Sequence, residues 1–432
     1  MFWAGLAVSL GIVGWNQYIA GRVPGIKGIP LKWYWGPFIE GSILDGLRPW
    51  TRFHIIFTLI GLTFLIPSRI SYSLWSFHVL YMLQLLIIVW LGYGVNEGSF
   101  PADWYTGLNF RTAEGGGALI VFAAVILWKC RKYIFCGFRP GAVAELEKPE
   151  RRELRVASWL FVLGSAALVL ILNQGMGANI FHCILYYLLM LVVTIGLIRA
   201  VAEGGFLALR CYFGPFHVIR SVFGMNHTWS LPTLLVPLFI FHSAMFWSYR
   251  TFIAPAMANA LKIRDKLRMR RLGFHGAVAA AIVCALAVGL LAHIVTSYSV
   301  SADGMNYWFY RHVPLNIFTN LKNFGIQKPV DVASGKWWML AGGLAMVALL
   351  YFRRHVFWLP HPIGLIMFVN PIMNAYWFSI LIGWIFKSLV SKYGNKDVYA
   401  RFRCFFIGLI IGEVVLKGLS GLPLDDVWLW ER

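Results

Sequence analysis

Apolar runs of helix length recur along almost the whole 432-residue chain, with short polar connections between them. They lie at about Phe2–Ala20, Phe53–Ile66, Tyr72–Gly94, Gly116–Trp128, Val156–Leu172, Ile180–Ala202, Trp229–Tyr249, Gly276–Tyr298, Trp337–Phe352, Ile363–Val390 and Phe405–Leu419. A bilayer-spanning helix needs roughly 20 mostly apolar residues. The pattern therefore predicts an all-α integral membrane protein with about 11 transmembrane helices. Composition agrees, with 59% hydrophobic and 13% charged residues, where average soluble domains carry about a quarter charged residues. No repeat, low-complexity tract or soluble insertion interrupts the series. The chain reads as a single transmembrane domain over 1–432, divisible into sub-blocks 1–155 and 156–432.

The formal charge of +20 would suggest nucleic acid in a soluble chain. Here Lys and Arg flank apolar spans, where the positive-inside bias and anionic lipid headgroups account for them. No nucleic-acid module is present, so membrane lipids with anionic headgroups are the expected partners and nucleic acid is not. The 20 Trp and 18 Tyr suit interfacial belts. Six scattered cysteines form no CxxC pair, which argues against a disulfide scaffold or zinc site. Met1 is followed at once by apolar residues without a basic flank, so Phe2–Ala20 reads as a retained helix. No GxSxG, P-loop or dinucleotide fingerprint occurs, so the chain reads as non-enzymatic and without a cofactor, with a lipid-modifying membrane enzyme whose residues are dispersed over several helices as the third alternative.

Loop charge tests simple alternation across the bilayer. The two most basic connections, 129–155 and 250–273, should both face the cytoplasm. Three plain spans between them would place them on opposite sides. An extra half-crossing or re-entrant pair between Gly204 and Tyr249 removes the conflict, and so does one miscounted span. The same conflict separates Tyr351–His355 from Lys387–Lys396. A discontinuous helix at Asn370-Pro371 would resolve it, because proline removes a backbone donor and breaks or kinks a helix.

Candidate functional residues are the polar ones at membrane depth, where charge is costly unless paired. Arg199 and Glu203 stand four apart in IRAVAEGG and can pair on one helical face. Gly204 and Gly205 then weaken the helix where backbone groups could meet a ligand. A snorkelling Arg199 paired with Glu203 at an ordinary helix end is the competing reading. Glu413 sits mid-run with Lys417 one turn later, either as a proton or cation site or as a salt-bridged packing residue. Gly408 and Gly412 form a small-xxx-small pair that admits a close neighbouring helix. His54, His78, His182, His242 and His293 lie in apolar runs without metal-ligand spacing and read as hydrogen-bonded core residues. The segment Tyr249–Arg271 reads as a basic interfacial helix or as an ordinary charged loop.

Several segments taken together carry a resemblance: FTLIGLTFLIPSRISYSLWSFHVLYMLQ (Phe57–Gln84), RAVAEGG (Arg199–Gly205), YRTFIAPAMANALKI (Tyr249–Ile263), WLPHPIGLIM (Trp358–Met367), WFSILIGWIFKSLVSKYG (Trp377–Gly394) and FFIGLIIGE (Phe405–Glu413). In this order they resemble an uncharacterised family of bacterial polytopic membrane proteins, a domain of unknown function that looks distantly related to the oligopeptide transporter family. The resemblance implies residence in the bacterial inner membrane and transport of a small polar or peptide-like solute, coupled to protons through Glu203 or Glu413. It also implies that this chain lacks an N-terminal portion, which a second chain or another complex subunit would supply. Relatives carry polar His and Glu at the places held by Ala256 and Asn259. These departures leave a second expectation, a non-transporting scaffold or accessory subunit of a larger membrane complex.

Overall fold

Thirteen α-helices and one two-stranded hairpin make up the regular structure among the described residues, so the chain is all-α in class. The computed structural model describes residues 1–20, 22–92, 110–139, 148–204, 253–300, 333–367 and 373–419, with isolated positions between 213 and 236 and between 310 and 319. The helices are α1 (Phe2–Gly14), α2 (Gly36–Ile39), α3 (Phe57–Leu65), α4 (Ser68–Trp90), α5 (Phe110–Cys136), α6 (Lys148–Met176) and α7 (Ile180–Gly204). They continue with α8 (Ile253–Lys266), α9 (Arg271–Ser299), α10 (Ala333–Phe352), α11 (Pro362–Met367), α12 (Met373–Tyr393) and α13 (Lys396–Leu419). Five of them, α4, α6, α7, α9 and α12, are long and apolar enough to cross a membrane. The chain folds as two compact units, Met1–Ala118 with Met339–Arg432, and Leu119–Trp338.

The first unit joins the two ends of the chain. Helix α1 lies against α13 along a seam of small residues. A Cβ built on Gly5 would overlap the Phe405 carbonyl, and one on Gly408 would overlap that of Phe2. Gly412 faces the Ser9 hydroxyl in the same way. The expectation that Gly408 and Gly412 admit a close neighbour is met by α1, whose backbone approaches because no side chain keeps it away.

The apolar run Phe53–Ile66, expected as one span, is divided. Arg52–His54 forms strand β2, paired antiparallel with β1 (Lys32–Tyr34) in the register Lys32↔His54, Trp33↔Phe53, Tyr34↔Arg52. Helix α3 then runs for only 9 residues, about 14 Å at 1.5 Å per residue, under half of the roughly 30 Å hydrocarbon layer. Its stop is written in the sequence. Ile66 precedes Pro67 and is extended, with ψ 159°, because the proline ring disfavours helical backbone in the residue before it. Pro67 in turn caps α4.

Around α3 the core is aromatic. Phe64 stacks on Phe406 with ring centroids 4.3 Å apart, and Val13, Phe57, Ile60 and Leu409 complete the buried cluster. On α4, the ring of His78 stacks on Trp377 of α12 at 5.4 Å. His78 is fully buried, and neither ring nitrogen has a hydrogen-bond partner among the described residues. That departs from the expected hydrogen-bonded core histidine: ring stacking holds this imidazole. His293 is hydrogen-bonded, to Tyr310 Oη through Nδ1 at 2.7 Å, but it is exposed and so is not a core residue either.

In the second unit, α6 and α7 are joined by only three residues, with Gly177 at φ +64°, so the two helices run antiparallel. Gly204 therefore lies at the same end of this helical hairpin as Glu153, since both are more than 20 residues from the turn. At that end the two most basic connections meet. Glu153 accepts hydrogen bonds from Arg264 at 2.5 Å and Arg271 at 3.0 Å, and His275 lies 2.7 Å from it. Glu150 accepts from Arg271 at 2.8 Å, and Asp265 binds Arg264. Partial burial pushes the Glu153 pKa up, but the hydrogen bonds from Arg264 and His275 and the charges of Arg264 and Arg271 outweigh it and hold the carboxylate below its usual range.

A depressed folded-state pKa gives stability that is fully present above the unfolded value and is lost as pH falls through the folded one. The thermal midpoint should therefore drop as pH is taken from about 5 toward 3, and Glu153→Gln should flatten that drop. Equal slopes in thermal melts of the two proteins would contradict the assignment.

The region between Gly204 and Tyr249, expected to hold a half-crossing or re-entrant pair, and the junction Asn370-Pro371 lie outside the described residues, apart from isolated positions in the first. The described helices on either side of Asn370-Pro371 are α11 and α12. Tyr249–Arg271 contains helix α8, which packs on α7 and is basic in its last turn at Arg264 and Lys266.

Candidate functional site

The first apolar run ends in WNQYI, and these residues wind as a π-helix, Trp15–Ile19. The N–H of Ala20 reaches back five residues to the Trp15 carbonyl at 2.9 Å. π-Turns are rare and concentrate at functional sites, because the wider turn redirects side chains that an α-helix would send elsewhere. Here the turn presents Asn16 and Gln17. The Asn16 amide grips the backbone of Ile29, donating to its carbonyl at 2.9 Å and accepting its N–H at 2.7 Å. Trp15 Nε1 donates to the Lys27 carbonyl at 3.4 Å. The loop through Pro30 is thereby held over a cavity of about 370 Å³.

The polar lining of that cavity is Asn16, Gln17, Lys32, His54, Glu413 and Lys417. Gln17 Oε1 is buried without a hydrogen-bond partner among the described residues. Glu413 is 3% exposed and Lys417 6%, a burial at which an ionised group is costly without compensation. The compensation is explicit. Lys417 Nζ lies 3.2 Å from Glu413 Oε1. Oε2 accepts the Thr58 N–H at 2.5 Å and the Thr58 hydroxyl at 2.7 Å.

Thr58 is the second residue of α3, so Glu413 places a carboxylate on the free N–H groups of a helix start, where anions are favoured. Ser379 adds to this, accepting the Ile56 N–H at 2.9 Å and donating to the His54 carbonyl at 2.7 Å. The other end of α3 is treated symmetrically. The buried Lys387 ammonium donates to the Ile66 carbonyl, placing a cation at the negative end of the dipole. A half-length helix is thus suspended between a carboxylate from α13 and an ammonium from α12. Its N-terminus opens beside a polar cavity.

Of the residues singled out in the sequence, Glu413 belongs to this site. It is salt-bridged to Lys417, as the packing reading expects, and it also lines the cavity. Arg199 and Glu203 make their i,i+4 ion pair on the last turns of α7, with side chains 55% and 32% exposed. They do not line this cavity. Gly204 ends α7, while Gly205, Asn370 and Pro371 lie outside the described residues.

Sequence reasoning missed Asn16, Gln17, His54, Thr58 and Lys387 as members of one site. The available signal was the Asn-Gln doublet closing an apolar run and the lone Lys387 inside another. Among the described residues no group of three or more His, Cys, Asp or Glu side chains could hold a metal ion.

No curated protein matches this chain, and no solved structure does. The model of a family described as "Family of unknown function (DUF6785)" matches residues 1–423. Nearly the whole chain is covered, and the protein belongs to that family of unknown function.

Proposed function

We propose that this chain is a transporter-like protein of the bacterial inner membrane, with about 11 crossings or partial crossings, that handles a small polar or peptide-like solute in the Glu413 cavity. The observation that carries this reading is the buried Glu413–Lys417 pair lining a cavity at the N-terminus of a half-length helix. Half-helix termini beside polar cavities are how membrane carriers present backbone donors to a solute at membrane depth. Glu413 is then the coupling group. Protonation would remove its charge from Lys417 and weaken its hold on Thr58, linking occupancy of the cavity to the position of α3. In the second unit, Gly204 and the cluster of Glu153, Arg264 and Arg271 share one end of the α6–α7 hairpin. This supports placing connections 129–155 and 250–273 on one face, the cytoplasmic one by the charge bias.

Uptake into proteoliposomes tests the reading. With labelled amino acids and di- and tripeptides as candidate solutes, uptake should exceed that of protein-free vesicles and rise with an imposed proton gradient. Glu413→Gln, if still monodisperse, should lower it at least tenfold. Uptake no higher than in empty vesicles across the panel would overturn it.

A second reading has its own observation. Helix α9 has no buried residue over its 29 positions, so most of its surface is open to lipid or to another chain. A scaffold or accessory subunit would bury α9 against partner helices. Purification in mild detergent as a stoichiometric complex would favour this alternative over the carrier.

A further inference from the structure

The first unit holds a second cavity, of about 590 Å³, that the proposal above does not use. Its volume falls in the ordinary range of small-molecule sites, which are mostly apolar with a few placed polar groups. Aromatic walls come from Phe77, Phe352 and Trp358. Ala345 and Ala348, with Leu349, line it from α10, and the short alanine side chains leave room there. Polar groups in the lining are Tyr81 and Gln84 of α4, Glu114 of α5 and the indole N–H of Trp358.

The chemistry of that polar edge has a definite sign. Gln84 Nε2 donates to Glu114 Oε2 at 3.0 Å, and among the described residues it is the one hydrogen-bond donor to this carboxylate. The nearest basic group, Arg111, is fully buried with its guanidinium 4.3 Å from the Tyr81 ring centroid, and it does not line the cavity. None of the lining side chains is basic. A ligand entering this space therefore meets one carboxylate, a few neutral polar groups and otherwise hydrocarbon. In a low-dielectric site an opposite charge on the ligand is the favoured complement.

We propose that this cavity binds a small amphipathic amine, its ammonium donating to Glu114 and its apolar body lying among Phe77, Leu349, Phe352 and Trp358. The proposal does not depend on the Glu413 site. An amine bound here would be an additional ligand or an inhibitor whatever the protein moves.

The test uses the full chain in nanodiscs of zwitterionic lipid, with empty nanodiscs as the partition baseline. The probes are 2-phenylethylamine, its neutral match 2-phenylethanol and its anionic match phenylacetate, followed by saturation-transfer NMR and radioligand titration. The amine should bind above baseline and at least tenfold tighter than the alcohol, with phenylacetate undetected. Glu114→Gln should remove that preference, and Ala348→Trp, which fills the cavity from α10, should abolish binding. If Glu114→Gln does not fold, Gln84→Leu gives a second reading of the polar edge and should weaken the amine severalfold. Equal binding of amine and alcohol would overturn the proposal and mark the space as a groove for lipid chains. Preference for phenylacetate would overturn it in favour of Arg111 as the governing charge. Amine binding untouched by Ala348→Trp would place the ligand elsewhere and overturn it too.

Discussion

Replacing Glu413 by alanine is expected to destabilise the first unit by about 3 kcal/mol, the scale for breaking a buried ion pair from one side together with loss of a helix cap. Three contacts disappear together: the Lys417 ion pair and both hydrogen bonds to Thr58. Glu413→Gln retains an acceptor for the Thr58 N–H and should cost about half as much. Lys417→Met alone leaves Glu413 with its Thr58 donors but without its counter-charge. In the double variant Glu413→Gln with Lys417→Met the losses should fall short of the sum by about 1 kcal/mol or more, because groups in direct contact do not add. Thermal unfolding of the four proteins in one detergent measures the cycle. Additive losses would show that the pair is not energetically coupled and would weaken its claim to be the switch of a carrier.

Gly408→Val should prevent folding of the first unit altogether. A Cβ at this position overlaps the Phe2 carbonyl on α1, and the obstacle is backbone, which cannot rotate away as a side chain could. Gly5→Val should do the same from the other helix, against Phe405. The expected cost exceeds about 3 kcal/mol at either site, beyond the usual range for overpacking, and the readout is loss of the monodisperse peak in size-exclusion chromatography. Gly11, on the same helix as Gly5, is the control. Nothing lies within 4 Å of a Cβ built there, and Gly11→Ala should leave the peak intact while improving helix propensity by somewhat under 1 kcal/mol. A folded Gly408→Val protein with normal elution would mean that α1 and α13 do not pack through this seam.

These predictions differ in how far they could be read from the sequence. The small-residue spacing of Gly408 and Gly412 is visible in one dimension, since residues four apart share a helical face. Its partner is not: Phe2 and Leu6 stand some 400 positions away, and no local pattern selects α1 over any other apolar helix. Glu413 and Lys417 were legible as a pair for the same reason. Thr58 was not, because a helix N-terminus falling beside Glu413 depends on where α3 starts. Phe53–Ile66 is uniformly apolar and gives no sign that its first residues form a strand. The strand exists because Lys32–Tyr34 lies alongside to bond it, and backbone pairing at such separation is a tertiary event.

The sequence by itself determined the all-α class, the apolar character of the helices, and the stop at Ile66, because periodicity, hydrophobicity and proline act over a few residues. The tertiary structure alone decided which helices touch, that α3 is a short helix held between Glu413 and Lys387, that the π-turn at Trp15–Ile19 faces a cavity, and that Glu114 borders an apolar one. Those outcomes rest on contacts between distant parts of the chain, whose free energies depend on geometry that no local window of residues contains.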